Sequence, residues 1–214
     1  MTDKPPKRRK WFQFRLRTLL VAILVLSLPL AWLSGRMQKV SKQRKAVELL
    51  EKAVSLDPNF AEAWAWLADA HYSLPDFSIT RKRKQHFERG RQAVARSLEL
   101  NPDLPHVYHA AGYGASVEGD IGKVTAMFHK GHVTDPNDAE MKVAYGIGLN
   151  ALGLFEKGLP LLKEGLAQEP LMPGHVHNEA LAEWALGDSE AAGRSFRRSF
   201  ELGTPEAAFC VDDV

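Results

Sequence analysis

A dipeptide in which proline follows an acidic or amide residue recurs along the chain and constrains its fold more than any other feature. The four copies are Asp57-Pro58, Asn101-Pro102, Asp135-Pro136 and Glu169-Pro170. The last three are 34 residues apart, and the first interval of 44 residues indicates the same unit with a ten-residue insertion. A unit of this length cannot bury its apolar face alone, so neighbouring units must stack. The sequence therefore predicts a solenoid, which offers a surface for binding.

Between the prolines, large apolar residues occur at helical spacing and small residues occur where two helices would cross. The unit after Pro58 carries Trp64, Leu67, Ala68 and Tyr72. The unit after Pro136 carries Tyr145, Gly146, Leu149, Gly153, Gly158, Leu162 and Gly165. Two others carry Tyr108, Ala111, Gly112, Gly119, Asp120, Phe128 and Gly131, and Ala180, Gly187, Asp188, Ala192, Phe196 and Ser199. This pattern resembles the tetratricopeptide repeat (TPR) family, whose unit is a 34-residue helix-turn-helix. The resemblance covers about residues 46–204 and implies an all-α solenoid.

The resemblance also implies the boundaries of the array. Four repeats occupy 61–204, with the insertion at 76–85, and residues 36–60 form a juxtamembrane helix and a half repeat. The basic run from Arg81 to Lys84 falls in the insertion; we expect a solvated loop there, the alternative being contact with acidic lipid or phosphate. The tail 205–214 is too short for a capping helix, so we expect the last helix to leave part of its apolar face uncovered.

The segment 18–35 has no charged residue and is predicted to be a transmembrane helix that precedes the array. Its length would be roughly 27 Å, just short of the apolar core of a bilayer, and Arg17 and Arg36 would reach the headgroups. A cleaved signal peptide is the alternative, but Leu33 with Gly35 is not the pair of small residues that cleavage requires. We therefore expect an uncleaved anchor of a kind found on bacterial membrane proteins.

Charge differs sharply between the two parts of the chain. Residues 1–45 contain 12 Lys and Arg against Asp3 alone, whereas residues 46–214 contain 16 against 25 Asp and Glu. The excess of positive charge before the apolar segment predicts a cytoplasmic basic N-terminus at 1–17, with the solenoid on the periplasmic or outer side of a bacterial inner membrane. An acidic array also argues against nucleic acid as a partner, because nucleic acid requires a basic surface.

Motifs that carry chemistry are absent from the sequence. It has no nucleophile elbow and no Gly-rich phosphate loop, and the single cysteine, Cys210, permits no internal disulfide. The histidine pairs His106/His109 and His129/His132 each lie on one helical face, which leaves a metal site as an alternative. No acidic residue or cysteine completes a known ligand spacing, and the two helices would direct the pairs to different faces. We expect no metal, no cofactor, no small-molecule substrate and no enzymatic activity.

The family resemblance implies that the first helix of each repeat lines a concave groove. The lining residues chosen as partner contacts are Glu62, Asp69, Tyr72, His106, His109, Tyr113, Asn150, His177 and Trp184. None is Lys or Arg, which argues against a clamp for a C-terminal carboxylate and favours a peptide with apolar and basic residues. The predicted function is a membrane-anchored protein-interaction scaffold. The alternative is a permanently assembled regulatory or assembly subunit of a larger bacterial membrane complex.

Overall fold

The computed structural model describes residues 41–74 and 81–203, together with Ser27 and Met37. The chain divides into two compact units, 1–45 and 46–214. The predicted basic N-terminus, the tail 205–214 with Cys210, and the apolar segment 18–35 apart from Ser27 lie outside the described residues. No helix within the described ranges is long and apolar enough to cross a bilayer.

Every regular element in the described ranges is an α-helix, which confirms the all-α prediction. Residues 41–56 are helical, and we call α1 the part that lies in the second unit, 46–56. The others are α2 (Ala61–Ser73), α3 (Arg81–Leu100), α4 (Pro105–Glu118), α5 (Ile121–Thr134), α6 (Ala139–Ala151), α7 (Phe155–Gln168), α8 (Pro173–Ala185) and α9 (Ser189–Glu201).

The eight helices from α2 to α9 pack as four successive helix-turn-helix pairs. Each even-numbered helix packs against the odd-numbered helix that follows it and also contacts the next even-numbered helix. Successive odd-numbered helices in the described part of the chain make no comparable contact. The even-numbered helices α2, α4, α6 and α8 therefore form an inner row, and α3, α5, α7 and α9 form an outer row. This arrangement confirms the predicted solenoid of four repeats.

The repeated dipeptide builds the junction between one pair and the next. Asp57, Asn101 and Asp135 each accept a hydrogen bond at Oδ1 from the backbone N–H two residues later, at 3.0 Å. The proline between them has a fixed φ and no N–H of its own, so the turn leaves one backbone donor fewer to satisfy. A longer Glu169 replaces the short side chain at the last junction.

The carbonyl of the junction proline is also bound by a side chain of a following helix. Trp64 Nε1 donates to the Pro58 oxygen at 3.0 Å, and the Tyr108 hydroxyl donates to the Pro102 oxygen at 2.6 Å. These bonds explain why an aromatic residue with a polar atom stands six positions after two of the prolines. They join the junction to the helix that it precedes.

The turn inside each of the last three repeats is marked by glycine in the left-handed region. Gly119, Gly153 and Gly187, again 34 residues apart, have φ of 80°, 76° and 86°. A side chain is disfavoured in this conformation, so glycine ends the first helix of a pair. Asp120 and Asp188 then cap the second helix by accepting from the backbone N–H three residues later.

Other glycines lie at helix crossings. A Cβ on Gly146 of α6 would lie 2.9 Å from the Gly158 carbonyl oxygen of α7, and a Cβ on Gly148 would lie 3.2 Å from Thr125 Cα. This confirms that glycine serves close packing here. Gly165 of α7 also permits a close contact with α6, because a Cβ there would lie 2.7 Å from the Ala139 carbonyl oxygen.

The prediction of a solvated loop throughout the insertion 76–85 is wrong for its second half. Helix α3 begins at Arg81, so residues 81–85 extend the second helix of the repeat. Arg and Lys have high helix propensity, which favours continuing the helix through the basic run. The guanidinium carbon of Arg83 lies 5.6 Å from the ring centre of Phe87, one helical turn later. Residues 75–80 lie outside the described ranges.

Candidate functional site

Four polar side chains from three successive helices of the inner row converge on one another. We call Asp69 of α2, His106 and His109 of α4, and Glu140 of α6 the histidine–carboxylate cluster. The two histidines lie on one face of α4 because they are three residues apart. Their side chains are 13% and 23% exposed, and that of Asp69 is 17% exposed, so the cluster is largely buried but open to the surface.

The two carboxylates lie against different nitrogens of the same imidazoles. Asp69 Oδ2 lies 2.8 Å from His106 Nε2 and 3.3 Å from His109 Nδ1. Glu140 approaches the opposite nitrogens, at 3.6 Å from His106 Nδ1 and 3.8 Å from His109 Nε2. The pair of rings is therefore held between a close carboxylate from α2 and a more distant one from α6.

Aromatic rings flank the cluster on several sides. Trp66 stacks on His106 with ring centres 3.7 Å apart, and Phe128 stacks on His109 at 5.8 Å. Trp66 remains 51% exposed, and Tyr113 is 36% exposed. The Trp66 ring is thus in position to contact a partner as well as the cluster, and the exposed part of Tyr113 is also open to a partner.

The cluster shifts the protonation of its own members. Burial by itself lowers the pKa of His106, but the carboxylates of Asp69 and Glu140 outweigh burial and raise it to about 9. Burial alone would raise the pKa of Asp69, but the two imidazoles hold it below its usual value. The neighbouring His106 likewise lowers the pKa of Glu140. Two charged carboxylates beside a protonated His106 are therefore the favoured state without a further ligand.

No acidic residue stands at a known ligand spacing from the histidines, but the fold brings one to them. Asp69, His106 and His109 each offer a ligand atom, and these atoms lie within 4.8 Å of one another. The missing carboxylate comes from the preceding repeat, 37 residues before His106, so no local spacing could reveal it. Among the described residues, these three form the group of His, Cys, Asp or Glu side chains that lie close enough together to hold one ion.

Two of the predicted partner contacts do not face the groove. Tyr72 is only 8% exposed, and its ring fills the space between Gly90 and Gly114, where added Cβ atoms would lie 2.6 Å from it. Asn150 packs beside Gly158 of α7, and its Oδ1 is buried without a hydrogen-bond partner. Both side chains point towards the paired outer helix, because glycine there leaves room for them.

The other predicted contacts are dispersed. His177 packs edge-on against Phe196 of α9 at 5.4 Å, within its own repeat. Glu62 is exposed in the first turn of α2, and Trp184 is 61% exposed in the last turn of α8. Asp69, His106 and His109 are the predicted residues that the fold brings together, with Tyr113 beside them.

Sequence reasoning did not choose Trp66 or Glu140 as partner contacts. Trp66 lies three residues before Asp69, so helical spacing would have placed both on one face. Burial lowers the pKa of His175, and the charges of Glu140 and His109 also act on it.

Comparisons with known proteins identify the fold but no family. No family model matches the chain. The transcriptional regulator HilA of Salmonella typhimurium and of Salmonella typhi is 23% identical over 127 residues, which are 59% of this chain and 23% of the relative. The chain therefore spans about a quarter of the length of these curated relatives.

Solved structures match over a larger part of the chain. TTC0263, a thermophilic TPR protein of Thermus thermophilus, is 16% identical with a TM-score of 0.63, covering 84% of this chain and 95% of its own. YrrB, described as a TPR protein with an unusual peptide-binding site, is 13% identical with a TM-score of 0.53, covering 84% and 88%. Pseudomonas aeruginosa pilF is 18% identical with a TM-score of 0.59, covering 72% and 66%. The protein has the fold of a TPR solenoid.

Proposed function

We propose that the chain is a protein-interaction scaffold that binds an extended or helical segment of a partner along the inner row. The observation that carries this proposal is the pairing of charged and aromatic groups on one surface. The carboxylates of Asp69 and Glu140 lie against His106 and His109, the half-exposed ring of Trp66 stacks on His106, and the partly exposed Tyr113 stands on the same helix as the histidines. Aromatic side chains provide a large contact area with little loss of conformational entropy, and they dominate many protein interfaces.

The chemistry of the surface also favours a class of partner. The side chain of Glu140 is 33% exposed, so it can meet a cationic group without full desolvation. An exposed indole and a phenol ring can pack on apolar side chains or on the face of a guanidinium. The favoured partner is therefore a peptide segment that carries apolar residues and at least one Lys or Arg.

Position-specific crosslinking tests where a partner binds. A photoreactive amino acid is placed at Tyr113 on the inner row or, as a control, at Val133 of α5, which is 62% exposed on the outer row. We expect discrete adducts with one partner from position 113 and none from position 133. Adducts from position 133 alone would place the binding surface on the outer row and overturn the proposal.

Replacing Tyr113 by Ala should weaken the binding of the partner so identified by about tenfold or more, since removing a central aromatic contact costs about 1–2 kcal/mol. Val133→Ala removes a comparably exposed apolar side chain from the other face and should change the affinity by no more than about twofold. Isothermal titration of the purified proteins measures both values. Equal affinities for the two variants and the unchanged protein would contradict the role of Tyr113.

We also propose that the segment 18–35 anchors the scaffold in a bacterial inner membrane, with the array outside the cytoplasm. Its lack of charge and the larger number of basic residues before it support this orientation. The full chain should remain in the membrane fraction after a carbonate wash, and a reporter that is active only in the periplasm should be active when fused after Val214. An active cytoplasmic reporter would reverse the orientation, and mature protein lacking residues 1–35 would indicate a cleaved signal peptide.

A further inference from the structure

We propose that Asp69, His106 and His109 form a binding site for a divalent transition-metal ion, with Glu140 as a supporting carboxylate. This proposal stands on the geometry of the cluster and does not depend on partner binding by the groove. It differs from an ordinary ion-pair network in three features: the spacing of the atoms, the absence of a hydrogen bond at His106 Nε2, and the position of Glu140.

Two of the three distances between the ligand atoms are close to those found around one ion. Zinc binds imidazole nitrogen and carboxylate oxygen at about 2.0–2.2 Å, so two neighbouring ligands of one ion lie about 3.0–3.5 Å apart. Asp69 Oδ2 lies 2.8 Å from His106 Nε2 and 3.3 Å from His109 Nδ1. The first distance would have to lengthen by a few tenths of an ångström, the second already lies in that range, and all three ligand atoms lie within 4.8 Å of one another.

The contact between His106 and Asp69 also favours a metal ion that lies beside His106 Nε2 and Asp69 Oδ2. Although His106 Nε2 is 2.8 Å from Asp69 Oδ2, the nitrogen is buried and makes no hydrogen bond. A close pair of atoms without a well-directed hydrogen bond leaves both atoms available to an ion placed beside them. Asp69 Oδ1 is a second buried atom of the cluster without a hydrogen-bond partner.

Glu140 has the position of a supporting carboxylate. A histidine that binds a metal through one nitrogen commonly donates the other N–H to a carboxylate or carbonyl. Glu140 lies on the nitrogens that face away from Asp69, at 3.6 Å from His106 Nδ1 and 3.8 Å from His109 Nε2. Both distances exceed a hydrogen bond, so the Glu140 side chain would move inwards or act through a water molecule.

The ligand types select the class of metal. Two imidazoles and one carboxylate favour Zn²⁺ and its neighbours Co²⁺ and Ni²⁺ over Mg²⁺ or Ca²⁺, which prefer oxygen ligands. Three protein ligands leave a fourth position for water or for a side chain of a partner. Because Asp69 belongs to α2 and the histidines to α4, a bound ion would join two neighbouring repeats across the inner row.

Titration of the purified full chain with Zn²⁺ alone tests the site, provided that the protein is purified through a tag without histidine. We expect one tight equivalent by calorimetry, and an absorption band in the visible range when Co²⁺ is used. His106→Gln with His109→Gln should remove this equivalent. Glu140→Gln, which retains the three ligands, should weaken it by about 10–100-fold.

The matched control is His129→Gln with His132→Gln, which removes a pair of the same spacing from α5. This control should bind Zn²⁺ as tightly as the unchanged chain. The far-ultraviolet circular dichroism of every variant must match that of the unchanged chain, so that a loss of binding reports on the ligands. If the His106→Gln/His109→Gln variant keeps the tight equivalent, or the unchanged chain binds none at micromolar Zn²⁺, the cluster is an ion-pair network and the proposal is wrong.

Discussion

Replacing Leu162 by Ala should lower the free energy of unfolding of the unit 46–214 by about 2–5 kcal/mol. Leu162 is fully buried in α7, where it packs with Val143 of α6 and with Val176 and Ala182 of α8. Truncation removes apolar contacts with helices of two repeats, and the close crossing at Gly146 limits how far the helices can shift to fill the space. Chemical denaturation followed by circular dichroism measures the loss.

The matched control for this prediction is Leu171→Ala, which makes the same chemical change at a side chain that is 76% exposed. It should change the free energy of unfolding by no more than about 0.5 kcal/mol. Identical denaturation midpoints for the two variants would contradict the assigned core. The stability of a repeat array is approximately a sum of separate contributions from each repeat and each interface. The loss of stability caused by Leu162→Ala should therefore be largest in the helices from α6 to α8.

Replacing Gly165 by Ala should destabilise the same unit by about 1–2 kcal/mol, although alanine favours a helix. An added Cβ would lie 2.5 Å from Val143 Cγ2 and 2.7 Å from the Ala139 carbonyl oxygen, so α7 must move away from α6. Such overpacking costs about 1–3 kcal/mol, which exceeds the gain of up to about 1 kcal/mol in helix propensity. Thermal denaturation of both proteins measures the difference.

Gly174→Ala in α8 is the control of opposite sign. A Cβ at this position would have no atom within 4 Å, so alanine meets no obstacle and only reduces the freedom of the unfolded chain. The unit should become more stable by about 0.4–1 kcal/mol. If Gly165→Ala stabilised the protein as much as Gly174→Ala does, the close contact between α6 and α7 would be absent in solution.

The repeat could be predicted from sequence because its junctions are made by local chemistry. The Asp135 side chain bonds a backbone group only two residues away, and Gly153 needs only its own φ to end a helix. These signals depend only on neighbouring residues, so they can be recognised in the sequence without knowledge of the tertiary structure. Their recurrence at a fixed interval therefore predicted a stack of repeats, and the resemblance to the TPR family implied the helix-turn-helix unit.

The histidine–carboxylate cluster could not be predicted because its members belong to different repeats. Glu140 lies 34 residues after His106, and only the packing of α2, α4 and α6 determines whether their side chains meet. The periodicity gives the face on which a residue stands, but it does not give the rotamer or the distance to the next helix. The same holds for Trp66, whose stacking on His106 depends on how closely α2 approaches α4.

The burial of Tyr72 shows how a shared repeat position can have different environments. Ser116, Asn150 and Trp184 occupy the equivalent position in the other inner helices, and Ser116 and Trp184 are exposed. Tyr72 turns inwards because Gly90 and Gly114 leave space for a ring. Small residues on the partner helices therefore decide the direction of a side chain, and a single repeat considered alone does not contain this information.

The side-chain bond formed at the junctions of Asp57, Asn101 and Asp135 spans only two residues, so it is complete within its own repeat. A duplicated or deleted unit would carry its own turn with it, and the neighbouring junctions would keep their bonds. The first interval between junctions is ten residues longer than the others, yet Asp57 and Asn101 at its two ends form the same turn. The array can therefore gain or lose whole repeats. A repeat can also accept an insertion between its two junctions without altering the register of its neighbours.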